Sequence, residues 1–314
     1  MLITGGTGFI GHYLVKEFVQ DYNIICLVRH GTKNIDRFEE VIDQITVIEH
    51  DLQQDYTNLL LQLKDVEVIL HCGGNPSAES SMRDPVGCVK DNVLGTMHLL
   101  ELARQLPIKR FFYYSANEIF GPVPKGTSSL EYDAYHSVSP YSASKAGGEE
   151  LCVAYSNIWK IPVSILHLTN TFGPRSQSNR YPVILLKKLL HKEPVQIHVD
   201  PDGGISGRCW FYAGNVASQT RFLLDNQSAL CDKWNSSGTK FIDNLELAHI
   251  VADILNIKLE YNIIPVDRPG HDAHFSLNSN KIYAAGWQEP IDLMGRLIET
   301  AQWYKNNPNW LIGR

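Results

Sequence analysis

The chain has 314 residues and is 44% hydrophobic, which is enough for a large core in two domains or in one α/β domain with an extra lobe. Its net charge of −6 argues against general nucleic-acid binding, and no apolar run approaches the ~20 residues of a membrane helix. The six scattered cysteines form no CxxC pair. They predict reduced thiols in a cytoplasmic protein, with neither a disulfide framework nor a metal site.

The first element is an apolar strand at residues 1–3 that leads into the glycine turn Thr4-Gly5-Gly6-Thr7-Gly8-Phe9-Ile10-Gly11, after which a helical pattern continues. A glycine motif this early predicts that no signal peptide precedes it. In a pyrophosphate site, Gly5 allows the tight turn, Gly8 lets phosphates approach the backbone, and Gly11 lets the helix pack on the strand. The amides and dipole of the helix N-terminus, at Phe9 and Ile10, attract negative charge. The pattern predicts a dinucleotide site; the alternative is an ordinary strand–helix turn.

The second strand, at residues 23–28, ends at Arg29, where many dinucleotide-binding proteins carry an acidic residue for the adenosine ribose. Arg29 is suited to a 2′-phosphate, which favours NADP. The alternative is that Arg29 stacks on the adenine or faces water. The choice between NAD and NADP stays open at this point.

Further strands are expected at 45–48, 66–70 and 110–114, with a helix at 91–105. Strands alternating with helices predict a parallel sheet covered on both faces, that is, a Rossmann doubly wound α/β fold. Ligands bind at the carboxyl ends of such strands. There the chain carries Asp51-Leu52 and His71-Cys72-Gly73-Gly74, and His71 is expected to pack or bond locally. Residues 235–237 are expected to form a polar loop.

A helix is predicted to begin at Pro140, with Tyr141 and Lys145 four residues apart on one face. An ammonium beside a phenol favours the phenolate and lowers its pKa toward the working range. An exposed aromatic residue with a surface lysine is the alternative reading. After a dinucleotide turn, the pair becomes the leading catalytic candidate.

Taken together, the motifs resemble those of extended short-chain dehydrogenases/reductases of the nucleotide-sugar epimerase/dehydratase family, most closely dehydratases of the dTDP-glucose type. The resemblance covers almost the whole chain and rests on GGTGFIG at 5–11, Asp51-Leu52, Asn92-Val93-Leu94-Gly95-Thr96, YSASK at 141–145, Asn170-Thr171-Phe172-Gly173-Pro174, Arg208-Cys209-Trp210, Arg268-Pro269-Gly270-His271-Asp272 and Gly286-Trp287.

The resemblance implies a cofactor domain at residues 1–170 and a smaller, interleaved α/β sugar-nucleotide lobe at 171–314. It implies that Ser77 and Asn170 contact the substrate, and that Arg208 and Arg268 hold its phosphates or nucleoside. Guanidinium groups suit diphosphates, although surface salt bridges are the alternative for these two arginines. Further helices are expected at 182–191, 245–255 and 291–304. Family members also dimerise through helices that correspond to 91–105 and 141–158, so a homodimer is expected.

The chain departs from the family pattern after the fifth strand. Dehydratases of this type carry Ser or Thr, then Asp as an acid, then Glu as a base, whereas this chain has Ala116, Asn117 and Glu118. Asn117 cannot donate a carboxylic-acid proton, and Ser115 replaces the missing hydroxyl only if the loop shifts. His167 stands where the family often has arginine. A surface glutamate on a loop is the alternative reading of Glu118.

By this resemblance the protein is an enzyme that oxidises a nucleoside-diphosphate hexose at C4 with NAD or NADP. Tyr141 and Lys145 serve hydride transfer, and Glu118 removes the C5 hydrogen before water leaves from C6, as in a 4,6-dehydratase. The alternatives are a 4-epimerase or 4-dehydrogenase, which Asn117 suits, and then a uronic-acid decarboxylase. A different class is a catalytically weak cofactor-binding regulator or scaffold, which Ala116 favours and Tyr141, Lys145 and Glu118 oppose.

Overall fold

The computed structural model describes residues 1–32, 34–199, 204–226, 231–265 and 274–312. The chain forms two compact units. The first contains Met1–Gly121, Leu130–Leu168 and Val216–Ser236, and the second contains Pro122–Ser129, Thr169–Asn215 and Ser237–Arg314. The chain thus leaves the first unit at Leu168 and returns to it from Val216. The domain boundary expected at residue 170 stays a prediction.

The strands, in chain order, are β1 Leu2–Thr4, β2 Ile24–Val28, β3 Ile45–Glu49, β4 Val68–His71, β5 Arg110–Ala116, β6 Val163–Leu168, β7 Thr171–Phe172, β8 Val195–Val199, β9 Gly207–Arg208, β10 Phe211–Tyr212, β11 Asp232–Ser236, β12 Ile242–Asp243 and β13 Tyr261–Pro265. The α-helices are α1 Phe9–Phe18, α2 Leu60–Leu63, α3 Ala78–Arg83, α4 Pro85–Val89, α5 Gly95–Ala103, α6 Pro140–Trp159, α7 Tyr181–Leu190, α8 Ala213–Asp225, α9 Asn244–Leu255, α10 Asn280–Ala284 and α11 Leu293–Asn306.

The first unit is built on a seven-stranded sheet in the order β3-β2-β1-β4-β5-β6-β11, in which every neighbouring pair is parallel. Strands buried on both faces read as continuous apolar runs, and β5 is buried from Phe111 to Ala116. The strand order reverses between β1 and β4: β2 and β3 lie on one side of β1, and β4, β5 and β6 lie on the other. Ligands bind at this point in folds of this class. The predicted Rossmann doubly wound fold is confirmed.

One sequence expectation was wrong. Asn235 and Ser236, expected in a polar loop, lie in β11 at the edge of the sheet, fully buried and paired in parallel with His167 and Leu168 of β6. Hydrogen bonds explain how polar residues fit inside: Ser236 Oγ donates to Gln219 Oε1 at 2.5 Å, and Asn235 Oδ1 faces a nitrogen of His167 at 2.9 Å. Buried polar groups are tolerated when they are paired in this way.

The helix expected at 91–105 is divided. A five-residue π-turn, Lys90–Leu94, precedes α5, and the buried side chains of the helix include Leu99, Leu100 and Leu102. Such π-turns often occur at functional sites. The second unit contains three two-stranded sheets, β7–β10, β8–β13 and β9–β12. No helix among the residues that the structure describes is long and apolar enough to span a membrane.

Candidate active site

The glycine turn between β1 and α1 has the shape that a dinucleotide requires. Gly5 has a φ of +67°, which favours glycine. A Cβ atom would lie 2.9 Å from the Gly5 carbonyl oxygen at Gly8 and 2.1 Å from it at Gly11, so neither position accepts a side chain without movement. Gly8 caps α1 without a side-chain hydrogen bond. The first amides of the helix, at Phe9 and Ile10, therefore have no intrahelical partner and suit a phosphate.

Loops at the carboxyl ends of β3 and β4 meet beside this turn. A Cβ atom on Gly73 would lie 2.8 Å from Leu52 Cδ1 and 2.9 Å from Thr4 Oγ1. Asp51 accepts a hydrogen bond from the Gln53 amide at 2.9 Å, which orders that loop. Burial raises the pKa of the Cys72 thiol to about 12. Cys72 is therefore a neutral packing residue rather than a reactive thiolate.

His71 is a neutral link in a buried hydrogen-bond chain. Burial, with the Lys145 charge as a smaller cause, lowers the pKa of His71 to about 3. Thr96 Oγ1 donates to the Asn92 carbonyl at 2.7 Å, so it accepts from His71 Nε2 at 2.9 Å. Nδ1 then accepts from Thr4 Oγ1 at 2.7 Å. The chain joins β1, β4 and α5, in agreement with the local role expected for His71.

Arg29 is exposed directly after β2. Its neighbour His30 pairs with Glu49 at the end of β3, 2.6 Å from the carboxylate, and that hydrogen bond raises the pKa of His30. A second arginine was missed by the sequence analysis. Arg37 is buried and donates to the carbonyl oxygen of Thr7, inside the glycine turn, at 2.7 Å. This hydrogen bond stabilises the backbone of the glycine turn.

Asn92, in the π-turn, ties the loop after β4 to the helix that carries the catalytic candidates. Its Oδ1 accepts from the Asn75 amide at 2.7 Å, and its Nδ2 donates to Ser144 Oγ at 2.8 Å. A Cβ atom on Gly74 would lie 2.3 Å from Asn92 Oδ1, so this close approach needs glycine. Ser144 Oγ in turn donates to the Tyr141 carbonyl at 2.7 Å.

Tyr141 and Lys145 lie in the first turns of α6, as the sequence predicts. Ser139 caps the helix in a reciprocal capping box with Ser142, and Pro140 occupies the first turn. The Tyr141 amide donates to the buried Ser81 hydroxyl at 3.0 Å. Lys145 is buried against β5, with Nζ 4.2 Å from the centroid of the Tyr113 ring. Burial lowers the pKa of Lys145 to about 8, although nearby thiols and Glu149 oppose this effect.

The altered segment after β5 begins inside the strand. Ser115 and Ala116 are the last residues of β5, and Asn117–Phe120 form a 3₁₀ turn that packs on α6. Successive strand residues point to opposite faces, so Ser115 and Ala116 point to different sides of the sheet. Ser115 Oγ and Asn117 Nδ2 are buried and have no hydrogen-bond partner within the described ranges. Glu118 is partly exposed. Unpaired buried donors are costly and suit a ligand.

The remaining substrate candidates lie in different places. Ser77 belongs to the first unit, where its hydroxyl accepts from the Ser80 amide at 3.1 Å as the N-cap of α3. In the second unit Arg208 Nε donates to Asn170 Oδ1 at 3.2 Å, so these two candidates are brought together. Arg268 lies outside the described residues. Within the described ranges no group of three or more His, Cys, Asp or Glu side chains could hold a metal ion.

Residues 1–235 match the NAD dependent epimerase/dehydratase family. A relative from Arabidopsis thaliana, named trifunctional UDP-glucose 4,6-dehydratase/UDP-4-keto-6-deoxy-D-glucose 3,5-epimerase/UDP-4-keto-L-rhamnose-reductase, is 27% identical over 99% of this chain. The chain spans about half of that relative, 48% of its length. A putative UDP-glucose 4-epimerase from Methanocaldococcus jannaschii is 27% identical, with 98% of this chain and 99% of the relative covered.

Among solved structures, DesIV of Streptomyces venezuelae, a dTDP-glucose 4,6-dehydratase determined with NAD and TYD bound, is similar over 98% of each chain. The TM-score is 0.88 and the identity is 25%. Three separate features agree: the family match over three quarters of the chain, the glycine turn at the switch point of the sheet, and the Tyr141–Lys145 helix. The chain is an enzyme that belongs to the NAD dependent epimerase/dehydratase family.

Proposed function

We propose that this protein oxidises a nucleoside-diphosphate hexose at C4 and then completes a 4,6-dehydration. The observation that carries the proposal is the buried ammonium of Lys145, one helical turn after Tyr141 in α6. Relatives named 4,6-dehydratase support the sugar substrate. The unpaired Asn117 donor beside Glu118 supports a polar ligand at the end of β5.

Lys145 and Tyr141 serve the first step. With a pKa of about 8, Lys145 is largely charged at neutral pH, and a positive charge near a phenol favours the phenolate. Tyr141 then takes the proton of the C4 hydroxyl. A bound nicotinamide dinucleotide would accept the hydride from C4 and return it to C6 after water has left, so that the net change is the loss of one water. The glycine turn of the first unit fits either NAD or NADP, and the NAD bound to the similar DesIV structure supports NAD.

Glu118 serves the second step. Once C4 is a ketone, the C5 hydrogen is acidic, and a carboxylate within reach removes it as a proton. Asn117 donates a hydrogen bond but has no acidic proton. The proton that Glu118 takes from C5 is therefore the one available to leave with the C6 hydroxyl as water. Asn170 and Arg208, joined in the second unit, are the groups we propose for the diphosphate, together with Arg268.

A 4-epimerase or 4-dehydrogenase is the second candidate, and Asn117 is the observation that favours it. Its amide nitrogen is buried without an acceptor among the described residues, so it binds an oxygen atom without protonating it. The relative named UDP-glucose 4-epimerase agrees with this alternative. In a 4-dehydrogenase the reaction would end at the 4-keto sugar. In a 4-epimerase the 4-keto sugar would be reduced again at C4.

The test is incubation of the purified protein with a panel of nucleoside-diphosphate sugars, followed by mass spectrometry. Loss of one water indicates dehydration, loss of two hydrogens net oxidation, and loss of carbon dioxide decarboxylation. An unchanged mass with altered sugar stereochemistry indicates epimerisation. Tyr141→Phe is the control: we expect turnover to fall by at least about 10²-fold with little change in sugar affinity. Near-normal turnover of this variant would contradict the role of Tyr141 in C4 oxidation, and a wild-type protein that changes no sugar in the panel would favour the scaffold function.

We further propose a homodimer in the cytoplasm. Val86, Val89 and Ile158 expose 64%, 46% and 65% of their surface in the first unit, near the helices through which family members dimerise. The six cysteines are all unpaired thiols, which suits a reducing compartment. Light scattering coupled to size-exclusion chromatography measures the mass in solution. A monomer at micromolar concentration would contradict the dimer.

A further inference from the structure

A cluster of buried polar side chains lies in the first unit, apart from the glycine turn. Glu149 of α6 is at its centre, with no exposed side-chain surface. Its Oε1 lies 3.0 Å from Nε2 of His167 on β6 and 3.0 Å from Nζ of Lys233 on β11. Tyr135, in the loop before α6, donates its hydroxyl to the same carboxylate oxygen. Four separate segments therefore meet at one carboxylate.

The cluster holds opposite charges inside the protein. Both ring nitrogens of His167 face acceptors, Nε2 the Glu149 carboxylate and Nδ1 the Asn235 Oδ1 atom at 2.9 Å. This arrangement fits the imidazolium, in which both nitrogens donate. Burial alone would raise the pKa of Glu149, but the charge and hydrogen bond of His167, with Lys233, outweigh it and bring the pKa to about 2. Glu149 is a carboxylate throughout the working range.

This cluster packs against the turn that carries Glu118. Phe120, the last residue of that turn, packs edge-on against the His167 ring, with centroids 4.9 Å apart, and against Tyr135 at 5.8 Å. The Ile119 carbonyl accepts from the His136 amide at 2.9 Å. The backbone of the turn and its aromatic side chain thus both rest on elements that Glu149 holds together.

We propose that Glu149 and His167 are positioning residues, which hold the Asn117–Phe120 turn so that Glu118 reaches the substrate. The catalytic part of this inference rests on the proposed function. Without the His167 ring, the Glu149 carboxylate would keep Lys233 and Tyr135 as its partners among the described residues. The turn then loosens, and the C5 step weakens while C4 oxidation by Tyr141 and Lys145 continues.

Other ionisable groups surround the cluster, and their effects need to be distinguished from the effect of His167. They are Lys145, Glu150 and Cys152 on α6, Cys231 and Asp232 beside Lys233, Glu131 and Tyr132 in the loop before α6, and Glu118 itself. Replacement of His167 by arginine, the residue that the family often carries, keeps the positive charge at every working pH. It therefore tests whether a positive charge beside Glu149 is sufficient to hold the turn.

The first measurement needs no substrate. Amide hydrogen exchange of residues 117–121 is followed by mass spectrometry in wild type, Glu149→Gln, His167→Gln, His167→Arg and Tyr135→Phe, with residues 5–11 as the internal reference. Tyr132→Phe is the matched control, because its hydroxyl bonds Asp232 at 2.8 Å outside the cluster. We expect at least about tenfold faster exchange of 117–121 in the two Gln variants and a smaller increase in Tyr135→Phe. We expect no change in Tyr132→Phe. Unchanged protection of the turn in His167→Gln and Tyr135→Phe overturns the proposal, whatever the activity.

The second measurement compares two catalytic steps on the sugar found by the panel. C5 exchange with heavy water and C4 oxidation are recorded for wild type, His167→Gln and His167→Arg at one pH near neutrality. His167→Arg keeps a positive charge beside the Glu149 carboxylate and should retain C5 exchange better than His167→Gln does. His167→Gln should lower kcat for exchange at least about tenfold, with KM nearly unchanged. Equal losses in both steps overturn the proposal. If the Gln variants loosen the turn but the wild-type protein changes no sugar, the positioning role of Glu149 and His167 still holds. Only the proposed function is then refuted.

Discussion

The Lys145 ammonium lies 4.2 Å from the centroid of the Tyr113 ring, and the Tyr113 hydroxyl donates to the Lys145 carbonyl oxygen at 3.0 Å. One residue of β5 thus holds both the charge and the backbone of the helix that carries the catalytic pair. A cation over an aromatic face contributes about 1–2 kcal/mol when desolvated. Burial acts in the opposite direction and lowers the pKa of Lys145 from 10.5 to about 8.

Lys145→Met should therefore stabilise the protein while abolishing turnover. A shift from 10.5 to about 8 corresponds to roughly 3 kcal/mol of unfavourable burial of the charge below pH 8. Part of this is offset by the lost contact with Tyr113. Between about pH 8 and 10.5 the unfolded chain holds more protons than the folded one, so wild-type stability rises with pH. The difference in stability between Lys145→Met and wild type should therefore decrease as the pH rises through this range. Melting temperatures without cofactor measure it, and a variant less stable than wild type at pH 7 would contradict the prediction.

Gly8→Val should block the dinucleotide. A Cβ atom at residue 8 lies 2.9 Å from the Gly5 carbonyl oxygen, so a branched side chain must widen the turn or fill the space of the phosphates. Overpacking of this kind predicts about 10- to 100-fold weaker binding. Calorimetry with NAD and NADP measures the affinity. Gly147→Ala is the control, since its Cβ would meet only a Val93 methyl group at 3.3 Å. Normal affinity in a folded Gly8→Val protein would refute the site.

Arg29→Ala should separate the two cofactors. If the exposed Arg29 guanidinium binds a 2′-phosphate, its removal weakens NADP at least about tenfold and leaves NAD nearly unchanged. The Glu49 carboxylate, paired with His30 at the same edge of the sheet, opposes a phosphate there and favours NAD. Glu49→Gln should accordingly improve NADP binding. Equal losses for both cofactors in Arg29→Ala would indicate that the arginine stacks on the adenine.

Local signals in the sequence predicted much of the first unit. The glycine turn, the strand runs and the helix that begins at Pro140 each depend on neighbouring residues, and the structure has all three. Contacts between residues that are far apart in the chain could not be predicted from the sequence. Arg37 contacts the turn from 30 positions away, and Glu149 meets His167 across 18 positions. Such pairs follow from packing of the sheet and helices.

Polar composition does not distinguish an exposed loop from a buried strand whose polar side chains have hydrogen-bond partners. Asn235 and Ser236 have the composition of a loop, but His167 and Gln219 supply their partners inside the protein. Arg268 lies outside the described residues and remains an expectation. The substitution at Ala116, in contrast, could be read from the sequence, because it lies within a motif of fixed length.

Glu118→Gln should separate the two catalytic steps. If Glu118 takes the C5 proton, the variant retains C4 oxidation and loses C5 exchange with heavy water by about 10²-fold or more. Glu79→Gln is the control, because Glu79 pairs with Arg83 on the exposed surface of α3. NMR of the recovered sugar measures deuterium at C5. A wild-type 4-keto product without deuterium at C5 would make the enzyme a 4-dehydrogenase or 4-epimerase, with Glu118 binding sugar hydroxyls.

Restoring the two altered positions should reveal which step they limit. Ala116 is 6% exposed at the end of β5, and Ser115 lies on the other face of the strand, so the Ser115 hydroxyl does not take the place of the missing one. Ala116→Thr should raise the rate of C4 oxidation at least about tenfold, because a hydroxyl can bond the C4 oxygen. Ala116→Val has the same shape without the hydroxyl and should not.

Asn117→Asp acts on the later step. An aspartic acid supplies the proton that the amide lacks, so loss of water from C6 should accelerate by about tenfold or more while C4 oxidation is unchanged. The double variant should combine the two gains, since they belong to successive steps. Product masses over time separate the 4-keto sugar from the dehydrated one. If Asn117→Asp accumulates the 4-keto sugar as wild type does, the missing acid does not limit elimination, and the Asn117 amide instead binds a hydroxyl that the enzyme retains.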